Sequence, residues 1–211
     1  MSLLVIGLTG GIASGKSRAA RLFRGFGVPV FDADAAVHAL FAAGSTLVEA
    51  VEAAFPGTKA PDGAVDRRAL GAKVLGDRQA LRRLEGIVHP AVRQAERAFL
   101  GRLARHGFAM GLLDVPLLLE TAADRLVDCV VVVQVRPEIQ AMRALARPGM
   151  TPAKLAAIRR EQMPGPEKCR RADFVLPAGY DRGASAHAVA AILGRLDDWP
   201  RRAWPRAWLQ P

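Results

Sequence analysis

The sequence predicts an α/β fold, a parallel sheet wound on both faces by helices, and three observations carry that expectation. Five short apolar runs, at 4–8, 28–31, 109–113, 127–135 and 174–176, show no polar alternation, as strands covered on both faces should. Helical stretches separate them, so strand and helix alternate along the chain. A glycine-rich turn at 10–17 joins the first run to the first helical stretch, the position a phosphate-binding turn takes in such folds.

Taken in order, residues 4–8 read as a buried strand and not as a secretory signal, because no basic segment precedes them and the run is soon interrupted by glycines and Lys16. A helix over 16–26 leads to the second strand at 28–31. About 75 residues then precede the third strand, too many for one crossover, and they read as helices over 35–41, 47–55, 66–75, 78–89 and 91–106. The last two are separated at His89-Pro90, where proline is expected to interrupt the helix. Strands at 109–113 and 127–135 come next, then helices over 137–146 and 152–162, a last strand at 174–176 and a helix over 184–196. The predicted core is 1–34, 107–135 and 172–198, with helical excursions over 35–106 and 136–171. A tail, 199–211, holds Trp199, Trp204 and Trp208 among arginines and prolines and is expected to pack over the core or stay partly disordered.

The 211 residues carry a formal net charge of +10, from 30 Lys and Arg against 20 Asp and Glu. Residues 1–65 are neutral, whereas 66–105 and 136–171 carry +6 each and the tail +3. The excess therefore coincides with the two excursions. A nucleic-acid-binding ATPase is the reading this charge suggests from another class, but no stacking aromatics accompany the basic segments. No apolar run is long enough to span a bilayer. Cys129 and Cys169 have no metal or redox spacing and read as free thiols, and with neither a signal nor a spanning run a cytoplasmic protein is expected, without nucleic acid or membrane as a partner.

Gly10, Gly11, Ile12, Ala13, Ser14, Gly15, Lys16 and Ser17 fit the pattern GxxxxGK[ST]. Successive backbone N–H groups and a helix N-terminus can wrap an anionic phosphate there, with glycines permitting the turn. Lys16 is then placed to neutralise β and γ phosphates of ATP, and Ser17 to ligate Mg²⁺. A GTPase would bring an Asn-containing base motif and a DxxG switch; the chain has no Asn, and no Asp is followed by Gly three residues on. A small kinase remains, its excursions enclosing a phosphate acceptor.

The run Gly7-Leu8-Thr9-Gly10-Gly11-Ile12-Ala13-Ser14-Gly15-Lys16-Ser17 is followed by Phe31-Asp32-Ala33-Asp34, His89-Pro90, Asp114-Val115-Pro116-Leu117-Leu118-Leu119-Glu120 and Arg171-Ala172-Asp173-Phe174-Val175. With these motifs in this order, most of the chain resembles the dephospho-coenzyme A kinase family. The resemblance implies a P-loop kinase-like core of five parallel strands flanked by helices, a helical acceptor-binding subdomain over 35–106 and a lid over 136–171. It implies transfer of phosphate from ATP, with Mg²⁺, to the ribose 3′-hydroxyl of dephospho-coenzyme A, the last step of coenzyme A synthesis. ATP and dephospho-coenzyme A are then the partners of a monomer or small homo-oligomer. A nucleoside or nucleotide kinase, with the same loop and lid but a smaller acceptor, is the alternative.

Asp32 and Asp34 follow the second strand, and on its extended continuation residues two apart point the same way. A ribose hydroxyl is a poor nucleophile, so a carboxylate that accepts its proton is useful. The resemblance gives Asp34 this base role and Asp32 a supporting one; a helix N-cap at either is the structural alternative. His38, one helical turn after Asp34, is in reach of it or is simply a surface histidine. Asp114, at the end of the third strand, suits Mg²⁺ held through water, or caps the strand end. Thr9, His89, Pro116 and Leu117 are implied on the acceptor side. Arg143 and Arg147, four apart, would share a helix face suited to gripping a phosphoryl group; the resemblance makes them lid arginines, with Gly149 as a hinge, and solvated surface arginines are the alternative. Glu120 matches a family motif without a role readable from spacing, and Gln162 and Lys168 fall near the lid base. The chain departs from the family at three places: Ala13 stands at a usual glycine, Arg18 at a usual hydroxyl residue, and Leu176-Pro177 where Asp-Asn is frequent, so backbone groups must serve adenine.

Overall fold

Five strands, β1 (Leu4–Gly10), β2 (Val30–Asp32), β3 (Met110–Asp114), β4 (Cys129–Gln134) and β5 (Phe174–Pro177), form one sheet in the order β2-β3-β1-β4-β5. The computed structural model describes residues 2–179 and 181–209, which fall into two units, Met1–Phe31 with Leu100–Pro211, and Asp32–Phe99. β1 is buried along its whole length and takes the centre, since an unalternating apolar strand must be covered on both faces. It runs parallel to β3 and to β4, with Leu8 opposite Asp114 on one side and Gly10 opposite Val133 on the other. β5 departs from the expected continuous burial: Phe174 and Leu176 are buried while Val175 is exposed, because β5 is an edge strand with one covered face.

In the first unit, α1 (Lys16–Gly25) and α9 (Arg182–Leu196) bring Ala19, Ala20, Phe23, Val189, Ile192 and Leu196 against Leu4, Ile6, Leu8, Val131 and Val133. A second cluster joins Leu118, Leu119 and Ala123 to Val130 and Val132. Alternate residues of β4 thus enter opposite cores, as a pleated strand requires. The 136–171 segment lies in this unit as α6 (Pro137–Leu145), α7 (Pro152–Glu161) and α8 (Gly165–Arg170). α8 is an addition to the helices that the sequence pattern predicts; Pro166 in its first turn supplies a start signal that fits a helix.

The tail is packed. Trp199 lies 5.2 Å from Phe174, centroid to centroid, and its Nε1 donates to the Asp128 carbonyl at 2.9 Å. Trp208, in α10 (Arg206–Leu209), donates to the Leu126 carbonyl. The Asp128 carboxylate accepts from the backbone N–H groups of Val5, Arg202 and Ala203, fastening the tail at the amino ends of β1 and β4.

The second unit contains α2 (Ala33–Leu40), α3 (Thr46–Ala54), α4 (Arg67–Val74) and most of α5 (Arg78–Arg105). Ser45 and Asp66 cap α3 and α4 with side-chain hydrogen bonds. Leu47, Val48, Val51, Phe55, Val65, Leu70 and Val88 form its core. The expected break at Pro90 does not occur: α5 runs 28 residues through it. Proline in a helix interior costs about 3 kcal/mol. Leu84, Ile87, Ala91 and Val92 pack against the core on both sides of Pro90, and that burial offsets the lost hydrogen bond.

Candidate active site

The loop at 10–17 links the carboxyl end of β1 to the amino end of α1. Gly15, with φ 99°, occupies the left-handed region at the start of α1, and a Cβ on Gly10 would lie 2.8 Å from the Val133 carbonyl oxygen. Both glycines are thus demanded by geometry. Ala13 also has positive φ, 55°, so the residue that replaces glycine holds the left-handed conformation despite its Cβ. No side chain caps α1 and no acidic residue lies in its first turn, which leaves its first N–H groups directed at whatever the loop surrounds. Ser17 is exposed at this end, and Ser14 Oγ is buried without a hydrogen-bond partner among the described residues.

Sheet order sets Asp114 beside the loop, because β3 neighbours β1 and both end at the same edge. Lys16 Nζ approaches Asp114 Oδ1 to 2.5 Å, with the carboxylate almost fully buried. Thr9, expected on the acceptor side, is instead fully buried and donates to the Pro116 carbonyl at 2.9 Å; it supports the loop after β3 from beneath. Leu117, next along, accepts with its carbonyl from the Thr121 backbone N–H and hydroxyl. Glu120 closes this loop: its Oε1 accepts from the Met163 backbone N–H at 2.9 Å and lies 2.8 Å from Nζ of Lys168, a lysine only 1% exposed. Neither cysteine has a reactive setting; burial pushes the Cys129 thiol far up and that of Cys169 up as well.

Segment 136–179 reaches the loop from the other side. Arg143 donates to the carbonyls of Ala178 and Gly179 at 3.1 Å each, so its guanidinium joins α6 to the turn after β5. The Ala178 and Gly179 carbonyls of that turn are thus occupied by Arg143. The shared face expected for Arg143 and Arg147 is not formed: α6 ends at Leu145, and Arg147 lies exposed in the turn beyond, where helical spacing no longer applies. Gly149, φ 71°, belongs to that turn. Gln162, past the end of α7, accepts with Oε1 from the Ile12 backbone N–H at 2.9 Å, a contact with the loop that spacing alone does not reveal.

In the second unit, Asp32 closes β2 and caps α2, its Oδ1 accepting from the Ala35 N–H at 3.0 Å. Asp34 lies exposed in the first turn of that helix. The expectation that the two carboxylates point the same way on an extended continuation of β2 is corrected, since the chain turns helical at Ala33. The Asp32 capping reading holds. His38 lies against the Arg67 guanidinium and not Asp34, with Nε2 3.1 Å from Nη1. His89 is exposed on α5.

The dephospho-CoA kinase family model matches residues 4–180. Among curated proteins, the dephospho-CoA kinase of Nitrobacter winogradskyi is 50% identical over 200 residues, 95% of this chain and 99% of its own length. That of Mesorhizobium japonicum is 50% identical over 194 residues, covering 92% and 97% of the two chains. Among solved structures, TT1252 from Thermus thermophilus superposes with a TM-score of 0.79 at 34% identity, over 93% of this chain and 99% of that one.

Proposed function

The chain belongs to the dephospho-CoA kinase family, and from that membership we propose a division of labour among its residues. The reaction is phosphorylation of dephospho-coenzyme A by ATP, the final step of coenzyme A synthesis. What supports the assignment of ATP to the 10–17 loop is the pairing of Lys16 with Asp114 at the carboxyl edge of β1 and β3.

The backbone N–H groups of the loop and of the first turn of α1 hold the β and γ phosphates, and Lys16 leaves Asp114 to neutralise charge that grows on the transferring group. Ser17 and Asp114 present a hydroxyl and a carboxylate, hard oxygen donors that suit Mg²⁺. Bound there, the ion would offset phosphate charge during transfer. Asp34, free in the first turn of α2, is the carboxylate available to take the 3′-hydroxyl proton, while Asp32 fixes the start of that helix.

Segment 35–106, with His89, is the acceptor-binding region, and Pro116 and Leu117 border the acceptor from the loop after β3. Segment 136–171 is the lid, whose Arg143 orders the adenine-side turn before it meets phosphate; Arg147 is the more weakly tied of the two. No helix among the described residues is long and apolar enough to cross a membrane; the protein acts in the cytoplasm as a monomer or small homo-oligomer, apart from nucleic acid. A coupled assay of ADP release tests the acceptor: dephospho-coenzyme A should turn over faster than nucleoside monophosphates, and the reverse order would make this a nucleotide kinase.

A further inference from the structure

The contacts of Gln162 and Met163 form one continuous link through the first unit. Gln162 Oε1 accepts from the Ile12 N–H at 2.9 Å, and the N–H of the next residue, Met163, donates to Glu120 Oε1 at the same distance. Glu120 is in turn held by Lys168, whose ammonium is buried and 2.8 Å from the same oxygen. Two adjacent residues between α7 and α8 therefore grip both the phosphate loop and the loop that comes after Asp114. The orientation of the Gln162 amide is fixed by chemistry, since only its oxygen can accept from an N–H.

We propose that Gln162 is a positioning residue for ATP: it anchors the crest of the phosphate loop at Ile12, and the buried Glu120–Lys168 pair fixes the segment from which it reaches. Ile12 immediately precedes Ala13, whose left-handed conformation a Cβ disfavours, so the crest has a local reason to relax that a glycine-bearing loop lacks. An acceptor on the Ile12 N–H opposes that relaxation and keeps the subsequent N–H groups arranged before ATP arrives. Ordering carried in advance is not lost on binding, so the effect appears in nucleotide affinity. Lys168 explains why the anchor sits at this point. A buried ammonium must keep its carboxylate partner, so Glu120 cannot swing away, and Met163 and Gln162 stay in register with it.

The proposal rests on the reading of residues 10–17 as the ATP site, and its test separates the two. Amide hydrogen exchange at Ile12 is followed by NMR in the ligand-free protein, and ATP affinity is measured by calorimetry without acceptor. Gln162→Ala should speed exchange at Ile12 while leaving the amides of β1 unchanged, and should weaken ATP binding about three- to tenfold, the worth of one hydrogen bond. KM for dephospho-coenzyme A should stay within about twofold of wild type, because the contact is made to the nucleotide loop alone. Gln162→Glu keeps an acceptor of equal reach and should keep Ile12 protected. Unchanged exchange and affinity in Gln162→Ala, or loss of protection in Gln162→Glu equal to that in the alanine variant, would overturn the positioning role. Absence of ATP binding by the wild-type protein would overturn the loop assignment and this role with it.

Discussion

Lys16 Nζ lies 2.5 Å from Asp114 Oδ1, and Asp114 is the last residue of a strand separated from Lys16 by 98 positions in sequence. The pair stores the charge of the loop lysine on a buried carboxylate beside the phosphate cradle. If the loop holds ATP, the lysine has to leave that carboxylate, and the freed carboxylate would be available to a magnesium ion. Lys16→Ala should lower kcat by roughly three orders of magnitude. Asp114→Asn should raise the magnesium concentration needed for half-maximal activity. Near-normal turnover in Lys16→Ala, or an unaltered magnesium titration in Asp114→Asn, would contradict these roles.

Asp34 and Asp32 should separate by assay. Asp34 is exposed and makes no cap, so Asp34→Asn should leave thermal stability unchanged and lower kcat more than it raises KM. Asp32→Ala removes the cap of α2 and should cost about 1 kcal/mol of stability in denaturant unfolding. A larger kcat loss in Asp32→Asn than in Asp34→Asn would exchange the two assignments.

Ala13 holds φ 55°, which glycine adopts without steric conflict. Ala13→Gly should relieve about 1 kcal/mol of local strain, partly offset by the greater freedom of glycine in the unfolded chain. The net effect on the melting temperature should be small and not negative, with kcat retained; a clear loss of stability would mean that the Cβ is well accommodated.

Asp128 accepts from Val5, Arg202 and Ala203 N–H groups at the amino ends of the strands, the opposite end from the phosphate loop. Asp128→Ala would leave the N–H of fully buried Val5 short of this partner and unfasten the tail. The expected cost is about 2–4 kcal/mol, seen as a lowered melting temperature with unchanged kcat per folded molecule.

Glu96 is 1% exposed, and burial holds its carboxyl above the ordinary range even though Arg93 Nη1 donates to it at 2.9 Å and works the other way. The folded state thus binds this proton more tightly than the unfolded chain. Its contribution to stability is present below the unfolded value of 4.5 and is lost as pH rises through the raised folded value. Melting temperatures measured from pH 4 to 7 should fall, relative to Glu96→Gln, as pH rises across that window. A parallel course of the two profiles would place the proton elsewhere.

The sequence alone determined the alternation of strands and helices, the phosphate loop and the order of the functional motifs, because each is written in local periodicity or in short-range spacing. The cap at Asp32, weighed as an alternative from its place before α2, belongs to the same class. What only the tertiary structure decided depends on residues far apart in the chain. Pro90 stays inside α5 because side chains on both sides of it find a core, a packing gain that local propensity cannot register. Thr9 turns under the site, Arg143 binds carbonyls 35 and 36 residues away, and Gln162 reaches Ile12 across 150 positions. Such partners are chosen by which strand ends share an edge of the sheet and by where buried N–H groups need acceptors, and neither is encoded in the spacing of neighbouring residues.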